Sequence, residues 1–151
     1  MRALVQRVLR AEVSSAPTAY GPWEQAGRIG AGLVALVGVT HDDTERTART
    51  LADKLVNLRV LADDAGAMNR SCLQTSAPLL VVSQFTLYAD TSRGRRPSFV
   101  DAAPPDLAEP LLELLVEQVR GSGVEVATGR FRTHMRVELV NDGPVTVLLE
   151  V

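Results

Sequence analysis

Residues 135–151, MRVELVNDGPVTVLLEV, carry two runs with the composition of strands, Met135 to Val140 and Val145 to Val151, around the tetrapeptide Asn141-Asp142-Gly143-Pro144. Val, Leu and Thr suit a pleated, half-buried surface, whereas Asn, Asp, Gly and Pro suit turns. Turn chemistry makes the tetrapeptide a hairpin connection between the two runs. A third candidate strand, Val124 to Ala127, precedes them. Consecutive strands with no helix between them indicate an antiparallel or mixed sheet and argue against a doubly wound parallel fold.

Working back from this end, Leu111, Leu112, Leu115 and Val119 recur at helical spacing and predict a helix from about Pro105 to Arg120. Gly121 is its C′ residue and Pro110 must sit in its first turn. Leu79 to Val82 is a fully apolar strand that continues into Ser83-Gln84-Phe85-Thr86-Leu87, and Arg93-Gly94-Arg95-Arg96-Pro97 is a basic loop. Asp42 with Glu45 forms a capping box ahead of Ala48, Leu51, Ala52, Leu55 and Val56, which predicts a first helix over about 43–57. Leu58 to Leu61 is a short strand closed by the turn Asp63 to Gly66, and Leu33 to Val39 is a buried strand. Ser14 to Gly32, with Pro17, Gly21, Pro22, Gly27 and Gly30, is a loop or irregular hairpin. The opening Arg2 to Val13 alternates, with Ala3, Val5, Leu9, Ala11 and Val13 on one face. Arg7 falls on that face too, and a guanidinium among apolar neighbours must find acceptors. The expected fold is α/β: a single compact layered domain over residues 1–151, with mixed or antiparallel sheets and two main helices on one side.

A chain of 151 residues, 46% hydrophobic and 23% charged, buries enough surface to fold without disulfides or a metal. Cys72 has no partner in the chain, and Cys72, His41 and His134 share no ligand spacing, so no metal site is expected. No apolar run approaches the roughly 20 residues of a membrane span, and the alternating start is not a signal sequence. A soluble, cytoplasmic protein is expected. The net charge of −2 excludes nucleic-acid binding by bulk attraction but leaves room for a local basic patch. Gly30, Ala31 and Gly32 mimic a dinucleotide fingerprint but precede a strand instead of opening a helix, and no Walker loop surrounds Lys54.

Two segments carry chemistry. Ser83 to Asp90 puts hydroxyl and amide groups where a buried strand ends beside a basic loop, a common site location. No hydrolase elbow surrounds Ser83 and no His adjoins it in sequence, so a Ser-His-Asp triad would depend on His134 approaching in space. In the second, Gly143-Pro144 has ready access to the cis peptide form, which would let two carbonyls at a loop tip point outward as rigid acceptors for an ammonium group.

Ser83-Gln84-Phe85-Thr86-Leu87 and Asn141-Asp142-Gly143-Pro144-Val145-Thr146, with Met1 to Val8 and the loop Arg93 to Phe99, resemble the D-aminoacyl-tRNA deacylase family. The likeness runs over essentially the whole chain, through Gly129-Arg130-Phe131 and Met135, and departs at the long segment Ala16 to Ala26. It implies a homodimer with its active site at the subunit interface, hydrolysing the ester between a D-amino acid and the 3′-terminal adenosine of tRNA without cofactor or metal. Gly143-Pro144 would reach into the partner's pocket, hold the α-ammonium and leave no room for an L side chain. Glycyl-tRNA, including glycine mischarged on tRNA(Ala), would be a side substrate. Arg7 would hold the Gly-Pro loop through backbone oxygens. Ser83, Gln84, Phe85 and Thr86 would form the catalytic floor, with backbone N–H groups near Phe85 and Thr86 meeting the ester, and the ribose 2′-hydroxyl rather than a Thr86 nucleophile assisting. Phe131 and Met135 would line the pocket, although by type both are equally core residues. Arg93, Arg95 and Arg96 would meet tRNA phosphates, or else form a solvated loop. An editing domain that clears a mischarged L-amino acid, and a noncatalytic RNA-binding dimer module, are the alternatives.

Overall fold

In the computed structural model, which describes residues 1–92 and 94–151, the sheet is organised around one long strand, β1 (Arg2–Ala16). β2 (Glu24–Ile29) and β3 (Gly32–Gly38) share one edge of β1: β3 pairs with its first half and β2 with its second, both antiparallel. β4 (Leu61–Ala62) and β5 (Met68–Arg70) form a separate small hairpin. β6 (Leu79–Ser83) lies parallel to β3, and β7 (Val126–Thr128) parallel to β6. β8 (His134–Glu150) runs antiparallel to β1 along its other edge. Parallel neighbours need crossovers. The two here contain α1 (Glu45–Asn57) with the one-turn α2 (Cys72–Thr75), and α3 (Pro105–Gly121).

The main core lies between one face of this mixed sheet and the two long helices. Ala48, Leu51 and Leu55 of α1 and Leu111, Leu115 and Val119 of α3 pack over Ala3, Val5, Leu33, Ala35, Leu79 and Val81. Both main helices therefore cover the same side, as the pattern implied. A second cluster, Val8, Ala11, Val13, Ile29, Val34, Leu80 and Val82, fills the opposite face. There the sheet curls so far that β2 meets β7: a Cβ at Gly27 would lie 2.7 Å from the Thr128 carbonyl oxygen.

The expected C-terminal hairpin does not form. Residues 134–150 are one strand, and both halves pair with β1 rather than with each other. The 15-residue β1 offers backbone partners along the whole length, so Asn141-Asp142-Gly143-Pro144 becomes a bulge opposite Arg7 and Val8, where the register shifts twice. That bulge also breaks the alternation of β1. Val8 is buried, Leu9 is 56% exposed, and the strand passes from the main core at Val5 to the second core at Val8.

Local corrections have local causes. The α1 N-cap is Thr44, whose N–H donates to Thr47 Oγ1, and not Asp42. Neighbouring Asp43 instead accepts from the Met1 ammonium (2.5 Å) and the Thr40 N–H (2.8 Å), both at the end of the sheet. α3 includes Gly121, leaving Gly123, at φ +88°, as the left-handed residue beyond its end. Pro110 lies inside α3, not in its first turn.

Candidate functional site

β6 ends at Ser83, opposite Val37 of β3, and the Gln84 N–H makes the last bond of the ladder, to the Val37 carbonyl at 2.7 Å. The strand expected to continue to Leu87 stops there. β3 has run out, and the next available carbonyl, Val39, accepts from Ala103 at 2.9 Å. Phe85–Tyr88 instead close a single 3-10 turn, with Leu87 N–H donating to Gln84 O and Ala89 N–H to Thr86 O. The turn sits directly on Gly38, where a Cβ would lie 3.0 Å from Gln84 O and 3.2 Å from Leu87 Cβ. At the start of a helical turn the first N–H groups have no partner within it. Those of Phe85 and Thr86 make no backbone hydrogen bond among the described residues.

The side chains of this turn divide between surface and core. Thr86 is exposed and its hydroxyl accepts from the Gln84 amide. Phe85 is exposed and stacks edge-on against Phe99, with ring centroids 5.2 Å apart. Tyr88 is buried under the Arg2 guanidinium, 4.6 Å from its ring centroid, and burial, helped by the Asp43 charge, pushes its hydroxyl up to about 12. Arg2 also donates to the Leu87 carbonyl at 3.1 Å and pairs with Glu150 at 2.5 Å, tying the turn to the end of β8. Arg2, Tyr88 and Glu150 escaped the sequence reading because nothing in a chain marks contacts between residues 62 to 148 positions apart.

A cleft of about 600 Å³ opens between the ends of β6 and β7 and the side of α3. Ser83, Gly129 and Phe131 line it together. Met135 lies behind Gly129: its Sδ approaches within 2.5 Å of where a Cβ on Gly129 would sit, and its side chain packs against the second core. No histidine lines the cleft among the described residues; His41 Nε2 lies 2.8 Å from the Val100 carbonyl and His134 is exposed in β8.

Gly143 and Pro144 are exposed at the β8 bulge, joined by a cis peptide bond. Gly143 has φ +120°, and a Cβ there would crowd Val145 Cγ2 (2.7 Å), so only glycine fits. Asn141 Nδ2 straps the bulge by donating to the carbonyls of Arg7 (2.9 Å) and Val145 (3.0 Å). Arg7, half-buried, has Nε 2.9 Å from Asp142 Oδ2, a close ion pair without hydrogen-bond alignment, and donates from Nη1 to the Val60 carbonyl at 2.8 Å. Its hydrogen-bond acceptor is thus the distant Val60 carbonyl, with the Asp142 carboxylate as ion-pair partner, where backbone oxygens of the Gly-Pro loop were expected.

Within one chain the two motifs stay apart. The bulge faces Arg7, Ser83 faces Val37, and Val37 pairs with Ala3. Four residues along the strands and three strand spacings across put them roughly 20 Å apart as measured along the sheet. Arg95 and Arg96 are exposed on the loop closed by the Asp90–Ser98 bridge, and Arg93 lies outside the described residues. Ser92 N–H, donating to Asp90, holds that carboxyl below its usual range. Among the described residues no three His, Cys, Asp or Glu side chains could hold a metal ion, and no helix is long and apolar enough to cross a membrane.

Residues 4–150 match the family model described as D-Tyr-tRNA(Tyr) deacylase. A protein of Roseiflexus sp. (strain RS-1) named D-aminoacyl-tRNA deacylase is 55% identical over 150 residues, covering 99% of this chain and 93% of that one. Among solved structures, a c-Myc DNA unwinding element binding protein superposes with a TM-score of 0.89 at 35% identity, covering 100% of this chain and 99% of the other. A second, titled as a probable eukaryotic D-amino acid tRNA deacylase, has a TM-score of 0.83 at 16% identity over 99% and 98% of the two chains and speaks to the fold.

Proposed function

The chain belongs to the D-Tyr-tRNA(Tyr) deacylase family and is a hydrolase of D-aminoacyl-tRNA, and we propose that it performs this reaction with main-chain groups in a pocket completed by a second copy of itself. Water adds to the ester carbonyl, the bond to the ribose oxygen of the terminal adenosine breaks, and free D-amino acid and tRNA leave. The observation that carries this reading is the pair of N–H groups on Phe85 and Thr86, which make no backbone hydrogen bond among the described residues, at the end of a buried strand beside Ser83. Aimed at the developing oxyanion, preorganised donors of this kind are worth about 3–4 kcal/mol each.

Thr86 is not the nucleophile in this scheme. Its hydroxyl accepts from the Gln84 amide, and an amide cannot take up the proton that a nucleophilic oxygen must lose. An aminoacyl ester is reactive enough for positioning to suffice, with the ribose 2′-hydroxyl orienting the water. Ser83 and Phe131 form the inner wall, with Met135 behind it.

Gly143 and Pro144 of one copy enter the pocket of the other, and their carbonyls accept from the substrate's α-ammonium. Three features support this: the separation of roughly 20 Å along the sheet within a chain, the exposure of the motif, and the second edge of β8, unpaired among the described residues and open to a partner. An L side chain would collide with the motif, whereas glycine has none to reject, so glycyl-tRNA, including that on tRNA(Ala), is also cleaved. Arg95 and Arg96, with Arg93, approach tRNA phosphates, and the setting is the cytoplasm.

The test is loss of ester from D-tyrosyl-tRNA and L-tyrosyl-tRNA with the purified protein, alongside its oligomeric state. Loss of the D ester alone from a dimer is expected. Cleavage of both enantiomers, or full selectivity in a monomer, would overturn the proposal.

A further inference from the structure

We infer that the loop joining β1 to β2, residues 17–23, is a stacking platform over which the single-stranded 3′ end of an RNA substrate enters the cleft. The inference rests on the deacylase reading and concerns the route by which its substrate arrives.

The two walls of the cleft differ in charge. On the α3 wall, Glu109, Glu113 and Glu117 stand four residues apart on one helical face, with Arg120 in the last turn. The opposite wall contains Arg130, the first of four basic or titratable side chains in seven residues: Arg130, Arg132, His134 and Arg136. A polyanion is repelled by the first wall and drawn to the second.

The loop is fastened to that basic wall. Arg130 Nη1 lies 2.7 Å from Glu24 Oε2, and the Arg136 guanidinium stacks 3.9 Å above the Trp23 ring. The sheet register agrees, pairing Ser14 with Arg136 and Ala16 with His134 where the loop begins. Its tip is an ordered turn: Gly21 N–H donates to Thr18 O at 3.2 Å and Thr18 Oγ1 to Gly21 O at 3.1 Å. On that tip Tyr20 is 98% exposed, the most open of the large apolar side chains among the described residues.

An exposed aromatic ring on a loop whose base is fastened by two arginines suits one ligand chemistry best. Unpaired bases stack on aromatic faces while nearby arginines meet the phosphates. A duplex has no free base faces, so the platform suits the unpaired nucleotides that precede a terminal adenosine.

The experiment compares D-tyrosyl-tRNA with D-tyrosyl-adenosine, which has the ester but no preceding nucleotides. Tyr20→Ser should raise KM for the tRNA substrate about five- to 160-fold, as loss of one base stack does. It should leave kcat and the cleavage of D-tyrosyl-adenosine unchanged, and Tyr20→Phe should restore KM. Arg132→Gln, at an exposed arginine of the basic wall, should flatten the salt dependence of KM by about one ion, while Glu113→Gln should leave KM unchanged or lower it. A Tyr20→Ser protein whose tRNA KM stays within twofold of the parent, or rises equally for both substrates, overturns the platform with the deacylase reading intact. A parent protein inert on both substrates would overturn that reading, and the platform with it.

Discussion

Replacing Arg7 by Met keeps the aliphatic stem of the side chain and removes the guanidinium. Two interactions go. The Nη1 bond to the Val60 carbonyl, 2.8 Å long and half-buried, is charge-assisted and worth about 1.5–3 kcal/mol. The ion pair with Asp142 is 2.9 Å long, but Asp142 is 41% exposed and rehydrates easily, so it adds about 0.5–1 kcal/mol. Together they amount to about 2–4 kcal/mol, or roughly 4–15 °C in Tm for a chain of this size. Asn141 still straps the bulge through two carbonyls, so the strand survives while Asp142 and Gly143 gain freedom. If the position of that loop sorts enantiomers, selectivity must fall more than rate. At a temperature well below both melting transitions, the ratio of D- to L-tyrosyl-tRNA hydrolysis should drop at least about tenfold, with the D rate within about threefold of the parent. A Tm within 1 °C of the parent would refute the energetic reasoning. A lowered Tm with an unchanged D-to-L ratio would refute the link from Arg7 to selectivity, leaving it a structural ion pair.

Thr86→Ala should keep single-turnover hydrolysis within about threefold of the parent, because only an exposed hydroxyl that accepts from Gln84 is lost; a fall of several orders in a folded protein would make that hydroxyl the nucleophile. Gly32→Ala and Gly129→Ala should differ sharply in denaturant melts. At Gly32 the new methyl would collide with the Pro78 carbonyl, which accepts from Leu33 N–H at 3.1 Å, so backbone must move and at least about 3 kcal/mol is lost; at Gly129 it would meet only the flexible end of Met135, at a cost nearer 1 kcal/mol. Burial pushes the Cys72 thiol up to about 11, so iodoacetamide at pH 8 should label it only after unfolding. Because the folded thiol holds its proton more tightly than the unfolded one, that contribution to stability is complete below pH 9 and lost as pH climbs toward 11; Cys72→Ala should show a smaller drop in Tm between pH 8 and pH 10 than the parent.

Much of the architecture was legible because periodicity reports which face of an element is buried. α1 and α3 lie within two residues of the ranges 43–57 and 105–120 that the spacing of Ala48 to Val56 and Leu111 to Val119 indicates, and the apolar runs at Leu33 and Leu79 are the parallel centre of the sheet. The failures share a cause. Asn141-Asp142-Gly143-Pro144 has turn chemistry, and Ser83 to Leu87 has strand chemistry, but whether backbone turns or continues depends on what lies beside it. In the first case a long neighbour kept both halves extended, and in the second the neighbour had ended. Leu9 misled for the same reason, since the bulge that exposes it belongs to a strand more than 130 residues away.

The candidate site divides in the same way. Residue types at short range already contained the elements of the chemistry: a Gly-Pro step with ready access to the cis form, a polar strand end, a lone arginine in need of acceptors. Which acceptors Arg7 found, which N–H groups Phe85 and Thr86 left free, and how far the Gly-Pro bulge stands from Ser83 were settled only by the folded sheet. Local conformational preference is a property of a few consecutive residues and can be read from them. Hydrogen-bond partners and distances across strands belong to the whole packed chain, because each depends on a neighbour that the sequence places elsewhere.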